Sequence, residues 1–251
     1  MTKPGTVALV GSGEYLDVMN EVDTYLLGTV GSASAARVAL LPTASGLEPN
    51  GPTSWNNLGL QHFKQLGVQD TCATQIIDRE HAFDVEQVEL LQGANFFYFS
   101  GGNPQHVIET MQDSPAWNVI KTAYEQGAVL VGCSAGAMMM GGYTISIRQA
   151  MQGSAMDFVP GLAIVPQVIV FPHFDRMSGF LSQNRFKDLL QAVPANTTVI
   201  GVDENTALVR IEPSEDVGKL ALWRVMGSQT VSVFSREGLE QKLRVGEEVT
   251  I

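Results

Sequence analysis

The residues Gly132-Cys133-Ser134-Ala135-Gly136 fit the pattern G-x-S-x-G. They follow the apolar run Ala128-Val129-Leu130-Val131 and precede Ala137-Met138-Met139-Met140. In this context the pattern describes a strand that turns abruptly into a helix with a serine at the apex. The flanking positions must then be glycine because neighbouring backbones pass very close. The hydroxyl stands clear of the sheet, and the helix N-terminus beneath it favours developing negative charge. The chemistry on offer is nucleophilic attack on a carbonyl, with the Ala135 N–H as one oxyanion donor. The plain alternative is a glycine-rich turn packed against a neighbouring strand.

A serine nucleophile needs a base. Of the four histidines, His62 and His106 fall in helix-like segments and His81 in the charged stretch Asp78-Arg79-Glu80, so all three read as surface residues. His173 differs, because it follows the apolar run 167–171 and Pro172 and so sits at the carboxyl end of a strand, as Ser134 does. Ser100-Gly101-Gly102-Asn103 closes another apolar run, and adjacent glycines let backbone N–H groups approach a ligand. Asp203-Glu204-Asn205 follows a further run, which points its carboxylates to the same crevice or makes them turn caps. Gly11-Ser12-Gly13 starts like a dinucleotide fingerprint, but position 16 is leucine, so G-x-G-x-x-G fails and NAD binding is discarded. No His/Cys cluster has metal-ligand spacing, and neither metal nor organic cofactor is expected.

These residues must be held by a framework. Apolar runs at 6–10, 37–41, 95–99, 128–131, 168–171 and 199–202 each end in Gly, Ser, Pro or Asp, as strands buried on both faces do. Helix-like segments at 16–27, 57–66, 104–111, 117–126 and 182–193 alternate with them. The alternation predicts an α/β fold with a doubly wound, mostly parallel sheet. Segments 207–211, 220–225 and 230–234 are strand-like, and residues 226–229 between the last two read as a hairpin turn on an antiparallel C-terminal edge. Residues 43–57 read as a loop near the site. No linker or repeat divides the chain, so residues 1–251 are expected to form a single domain. In such sheets ligands bind beyond the carboxyl ends of the strands, where all the residues above lie.

Composition narrows the partners. The 251 residues are 45% hydrophobic and 16% charged, which excludes a disordered chain. A net charge of −11 makes nucleic acid and anionic membranes poor partners. Two cysteines, Cys72 and Cys133, make no disulfide framework, so a reducing cytoplasm is the default. The uncharged stretch 126–147 is long enough to span a bilayer, but its five glycines and short apolar runs suit a strand, a turn and a helix start. The N-terminal apolar run is too short for a signal peptide.

GCSAGA at 132–137, SGGN at 100–103, PHF at 172–174 and GVDENTAL at 201–208 together resemble the S51 serine peptidases, in order and spacing across about residues 5–235. The resemblance implies a class I glutamine amidotransferase-like (flavodoxin-like) fold with serine replacing the amidotransferase cysteine. It implies Ser134 as nucleophile, His173 as general base, and the N–H groups of Ala135 and Gly102 as oxyanion donors. The resemblance also implies an acid between the serine and the histidine. The only acid in that interval is Asp157, and the alternatives are Gln149 or Gln152 orienting the imidazole through an amide oxygen. Asp203 and Glu204, lying after the histidine, read as pocket residues. Asn103, Arg176 and Glu204 are the expected substrate contacts, with Arg176 suited to a substrate carboxylate. Implied substrates are short aspartyl peptides, or a β-linked aspartyl-arginine polymer as in cyanophycinase-like members. Pro172 before His173, and only Arg176 and Arg185 soon after it, weigh against the polymer. The family also implies a homodimer. The rival is a catalytically silent binding protein on the same scaffold, and the group beside His173 Nδ1 separates the two. An amidotransferase using Cys133 is disfavoured, because the x before the serine points away from the pocket.

Overall fold

A computed structural model describes residues 3–145, 158–179, 182–212, 220–235 and 237–251. Its main sheet has eight strands in the order β14-β11-β10-β1-β5-β4-β2-β3. Here β1 is Val7–Val10, β2 Arg37–Leu41, β3 Asp70–Ala73, β4 Phe96–Phe99 and β5 Val129–Cys133. β10 is Thr206–Glu212, β11 Leu222–Gly227 and β14 Glu248–Thr250. The strands β1, β5, β4, β2 and β3 run parallel, while β10, β11 and β14 add an antiparallel edge. The expected mostly parallel, doubly wound sheet with antiparallel C-terminal edge strands is therefore present.

Burial on both faces explains why these runs are strands. Val7, Leu9, Phe97, Phe99 and Leu130 pack into one apolar cluster, and Ala8, Val10, Phe96, Tyr98, Val129 and Val131 into the other. The period-two alternation thus sends every side chain of the central strands into a core. Helix α1 (Asn20–Thr29) supplies Val22 and Leu26 to one face, and α2 (Gly51–Gln65) supplies Phe63. On the opposite face lie the short α3 (Arg79–Phe83) and α4 (Val85–Leu91) with α5 (Pro104–Met111) and α6 (Pro115–Glu125), the last two supplying Val107, Met111 and Ile120. α5 starts with proline at its first turn and ends at Met111, as its sequence predicts.

A second sheet has the order β13-β12-β9-β8, with β8 Val168–Phe171, β9 Thr198–Val202, β12 Thr230–Phe234 and β13 Glu240–Arg244. α7 (Ala135–Met140), the β6–β7 ribbon (Tyr143–Ile145 and Phe158–Pro160) and α8 (Gln183–Ala192) complete the described elements. Strands β8 and β9 are parallel neighbours, pairing Phe171 with Gly201.

Two expectations are corrected. β11 and β12 do not form a hairpin. β11 pairs with β10 in the large sheet and β12 with β9 in the small one, so Met226 and Gly227 belong to β11 and only Ser228 and Gln229 carry the chain between sheets. Both strands have buried positions, and each finds partners outside the expected hairpin, β11 in β10 and β14 and β12 in β9 and β13. Residues 43–57 are not a plain loop, since a single 3₁₀ turn covers Thr43–Ser45 and α2 begins at Gly51 with Pro52 in its first turn. The stretch 126–147 resolves, as far as it is described, into β5, α7 and β6, and no helix among the described residues is long and apolar enough to cross a membrane.

Candidate active site

Ser134 sits between β5 and α7 with φ 52° and ψ −112°. A non-glycine residue held there costs about 1–3 kcal/mol, so its surroundings must impose the conformation. They do so through the backbone. Ser134 N–H donates to the Val10 carbonyl at 2.9 Å, and the Ser134 carbonyl accepts from the N–H groups of Ala137 and Met138, both at 3.0 Å. Both flanking glycines are required by close approach. A Cβ on Gly132 would run into the Gly136 carbonyl, and one on Gly136 would stand 2.5 Å from the Phe99 carbonyl oxygen. Cys133 is buried beneath the turn. Burial, reinforced by the neighbouring Glu14 carboxyl, pushes its thiol well above the ordinary range, so it stays a protonated thiol and not a nucleophile.

His173 follows β8 by two residues, and Glu204 follows β9 by two. Because these strands are adjacent and parallel, both side chains leave the small sheet at the same end. His173 Nε2 lies 3.1 Å from Ser134 Oγ, and His173 Nδ1 lies 2.9 Å from Glu204 Oε1. The histidine side chain is 41% exposed and the glutamate 26%, so the chain of contacts opens to solvent at the imidazole. Glu204 is anchored further by its backbone and its second carboxylate oxygen. Its N–H donates to Asp175 Oδ1 at 2.9 Å, its carbonyl accepts from Gln229 Nε2 at 2.8 Å, and its Oε2 lies 3.2 Å from the Arg176 guanidinium.

The turn after β4 supplies the facing wall. A side chain at Gly101 would meet Ser134 Cβ at 3.3 Å, so this turn lies against the elbow. Gly101 N–H donates to Glu14 Oε1 at 2.9 Å, Ser100 N–H to the Leu41 carbonyl and Asn103 N–H to the Ala44 carbonyl, which leaves Gly102 N–H as the backbone donor of this turn not committed to a described partner. Gly102 has φ 143°, and a Cβ there would run into the Ala44 carbonyl. Ala135 N–H opens α7, where a helix has no intrahelical acceptor to give.

Several residues stand elsewhere than expected. Glu204 is not a free pocket residue, because its carboxylate orients on the imidazole. Asp157, Gln149 and Gln152 lie outside the described residues. Arg176, expected on a substrate carboxylate, has its guanidinium on Glu204 and Asp175. Asn103 caps α5, its Oδ1 accepting from the N–H groups of Gln105 and His106 at 3.0 and 3.1 Å. Asp203 is buried and accepts from Thr230 N–H and, very closely, from its hydroxyl, tying β9 to β12. His62 is buried against Asp23 at 2.8 Å, contrary to its surface reading, because α2 turns Gly59, His62 and Phe63 to the sheet. His106 Nε2 meets the Ile77 carbonyl at 2.7 Å, and His81 Nδ1 meets Asp78 at 2.6 Å. Neither of these reaches the site chain. Among the described residues no cluster suits a metal ion.

Glu14 was missed by sequence reasoning. Its only signal was its place in the turn after β1, beside Gly11-Ser12-Gly13. It is 7% exposed, with Oε2 2.9 Å from Cys133 Sγ in addition to its bond with Gly101.

Comparison with known proteins gives a consistent set. The sequence model of peptidase family S51 matches residues 7–217. Cyanophycinases of Nostoc sp. (strain PCC 7120) and Trichormus variabilis are each 27% identical over 209 residues, covering 81% of this chain and 66% of theirs. That of Geminocystis herdmanii is 29% identical over 192 residues, covering 73% and 67%. The chain thus spans about two thirds of the length of these relatives. A crystal structure of a peptidase from an acI-B1 actinobacterium superposes with a TM-score of 0.83 at 32% identity, covering 99% of this chain and 97% of that one. A putative peptidase E of Listeria monocytogenes EGD-e shares the fold, with a TM-score of 0.55 at 17% identity over 85% of this chain and 96% of its own.

Proposed function

The chain belongs to peptidase family S51, and from that premise we propose that it is a serine peptidase that hydrolyses short, aspartyl-type peptides through an acyl-enzyme. The observation that carries the reading is the unbroken line Ser134 Oγ–His173 Nε2, His173 Nδ1–Glu204 Oε1. A carboxylate on Nδ1 is what a working base needs, and it speaks against a silent binding protein.

Glu204 accepts the Nδ1 proton and so fixes the tautomer in which Nε2 has a free lone pair. Ser134 Oγ bonds to the substrate carbonyl carbon while its proton passes to Nε2. The oxyanion so formed is met by the N–H groups of Gly102 and Ala135 at the start of α7. Collapse breaks the C–N bond, and the leaving amine takes the proton from Nε2. Water then attacks the ester, gives its proton to Nε2, and the proton returns to Ser134 as the acid departs. Asn103 and Arg176 border this site, where Asn103 has its amide N–H₂ and Arg176 has guanidinium N–H groups other than those facing Asp175 and Glu204 to offer a substrate.

A β-linked aspartyl-arginine substrate is the second reading, favoured by the cyanophycinases among the relatives. The protein is further read as one domain, acting in the cytoplasm as a homodimer. The compartment is supported by its two unpaired cysteines, while the homodimer rests on the family resemblance alone.

The test is a panel of α- and β-linked aspartyl dipeptides, β-aspartyl-arginine included, assayed beside labelling with a serine-directed fluorophosphonate. The wild type should label at Ser134 and cleave one linkage class, and Ser134→Ala should do neither. A wild type that neither labels nor cleaves refutes the reading.

A further inference from the structure

Glu14 takes no part in the steps above, yet it is a carboxyl group placed under the reacting atoms. It is nearly buried and has no ion-pair partner among the described residues. Burying a carboxyl without a cation is unfavourable, and an apolar residue of similar size would pack there at less cost. Its two oxygens are nonetheless both used, each on a different strand end. Oε1 accepts from Gly101 N–H in the turn after β4, and Oε2 accepts from the Cys133 thiol immediately before the nucleophile. One group on the β1 turn therefore spans the two halves of the oxyanion site. The Gly101–Gly102 turn has no side chains of its own with which to hold its place.

We propose that Glu14 is a positioning residue that braces the oxyanion turn to the serine elbow. By committing Gly101 N–H below the turn, it fixes the orientation of the next peptide and hence of the Gly102 N–H donor. Oxyanion donors act by being preorganised, and a donor misplaced by a fraction of an ångström loses most of its effect. The inference rests on the reading of Ser134 as the acylated residue.

Two measurements on the full chain test it, using wild type, Glu14→Gln and Glu14→Ala. The first is hydrogen–deuterium exchange at the Gly101 amide, which does not depend on activity. The second is the rate of fluorophosphonate labelling at saturation and the probe concentration that half-saturates it. Glu14→Ala should speed Gly101 exchange at least tenfold. It should slow maximal labelling roughly 100-fold, the scale of losing one oxyanion donor, with half-saturation unchanged. Glu14→Gln keeps an amide oxygen for Gly101 and can donate to the Cys133 sulfur, so it should stay within about threefold on both measures. Labelling by Glu14→Ala within threefold of wild type, equal slowing in the Gln variant, or unchanged Gly101 exchange would each overturn the brace. Should Glu14→Ala fail to fold, Cys133→Ala removes the other half of the brace. It should then slow labelling several-fold, and wild-type labelling by that variant overturns the proposal. A wild type that never labels fails the acyl-enzyme reading first and takes the brace with it. Labelling of wild type with indifference to Glu14 fails the brace alone.

Discussion

Replacing Glu204 by glutamine tests the line of contacts at its least expected member. The carboxylate presents Oε1 to His173 Nδ1 at 2.9 Å and Oε2 to Arg176 at 3.2 Å. Both neighbours are donors, so a carboxylate satisfies both and an amide can satisfy only one. If the glutamine oxygen faces His173, its N–H₂ group confronts a guanidinium that can never lose its charge. The reverse orientation is therefore favoured, and it presents N–H₂ to Nδ1. The imidazole must then carry its proton on Nε2, which points at Ser134 and can no longer accept one. In Ser-His-Asp sites the wrong tautomer costs about 10⁴ in kcat, or roughly 5.5 kcal/mol at 1.36 kcal/mol per decade. Because Glu204 is 26% exposed, water can offer Nδ1 a partial substitute, and the expected loss is about 10²–10⁴. Arg176→Met alone should cost less than about fivefold, since a pair with a 66% exposed arginine contributes only ~0–1 kcal/mol. The double variant, with the amide free to turn its oxygen to the imidazole, should be at least tenfold faster than Glu204→Gln. Steady-state cleavage and fluorophosphonate labelling report all four proteins. Glu204→Gln within tenfold of wild type would refute the orienting role, and a double variant no faster than the single would refute the part given to Arg176.

Two further outcomes concern stability. Ser134→Gly should melt higher than Ser134→Ala. Relief of about 1–3 kcal/mol of backbone strain exceeds glycine's entropic penalty of about 0.5–1 kcal/mol, and a net gain near 1 kcal/mol corresponds to about 2–4 °C in a calorimetric scan. Asp78 caps α3, and the His81 backbone N–H, followed by the His81 side chain, holds its carboxyl below the usual aspartate range. A depressed folded value contributes stability above the unfolded value that is lost as pH falls through the folded one. Asp78→Ala should therefore cost about 1 kcal/mol by urea unfolding at pH 7. The gap to wild type should narrow as pH drops below the ordinary aspartate range, and a gap that widens there contradicts the cap.

The elbow was legible because its chemistry is written in five adjacent residues, and the central strands because both their faces are buried. Glu204 carried an equally plain mark, two residues beyond a strand just as His173 is, but its role depends on β8 and β9 being neighbours. They are joined by α8, and the two side chains that meet are 31 positions apart. The family pattern puts the acid before the histidine, which points to Gln149, Gln152 and Asp157 instead. Glu14 lies 119 positions from the thiol it holds, so no local pattern could reveal it. The edge strands β3 and β13 were invisible for a different reason. β13 has one buried residue in five, so hydrophobic periodicity leaves little trace.

The backbone shows where the fold concentrates its strain. Among the described residues seven non-glycine positions have positive φ, and Tyr15, Ser134, His173 and Asn205 are four of them. Each lies in a turn at the carboxyl end of β1, β5, β8 or β9, and each turn bears a site residue or stands next to one. At about 1–3 kcal/mol apiece, such conformations survive only where several bonds determine them at once. Asn205 N–H is held by the Ser12 carbonyl and its own carbonyl by Ser228 N–H, so the Glu204 turn is fastened to the β1 turn and to the crossing between sheets. The same β1 turn carries Glu14 to the oxyanion wall. The proposed nucleophile, base, acid and oxyanion turn come from both sheets, and the β1 turn touches three of the four strand ends that bear them. Loosening that turn should therefore disturb the site geometry before it disturbs the apolar clusters, because those clusters lie on the faces of the two sheets and the turns lie beyond the carboxyl ends of the strands.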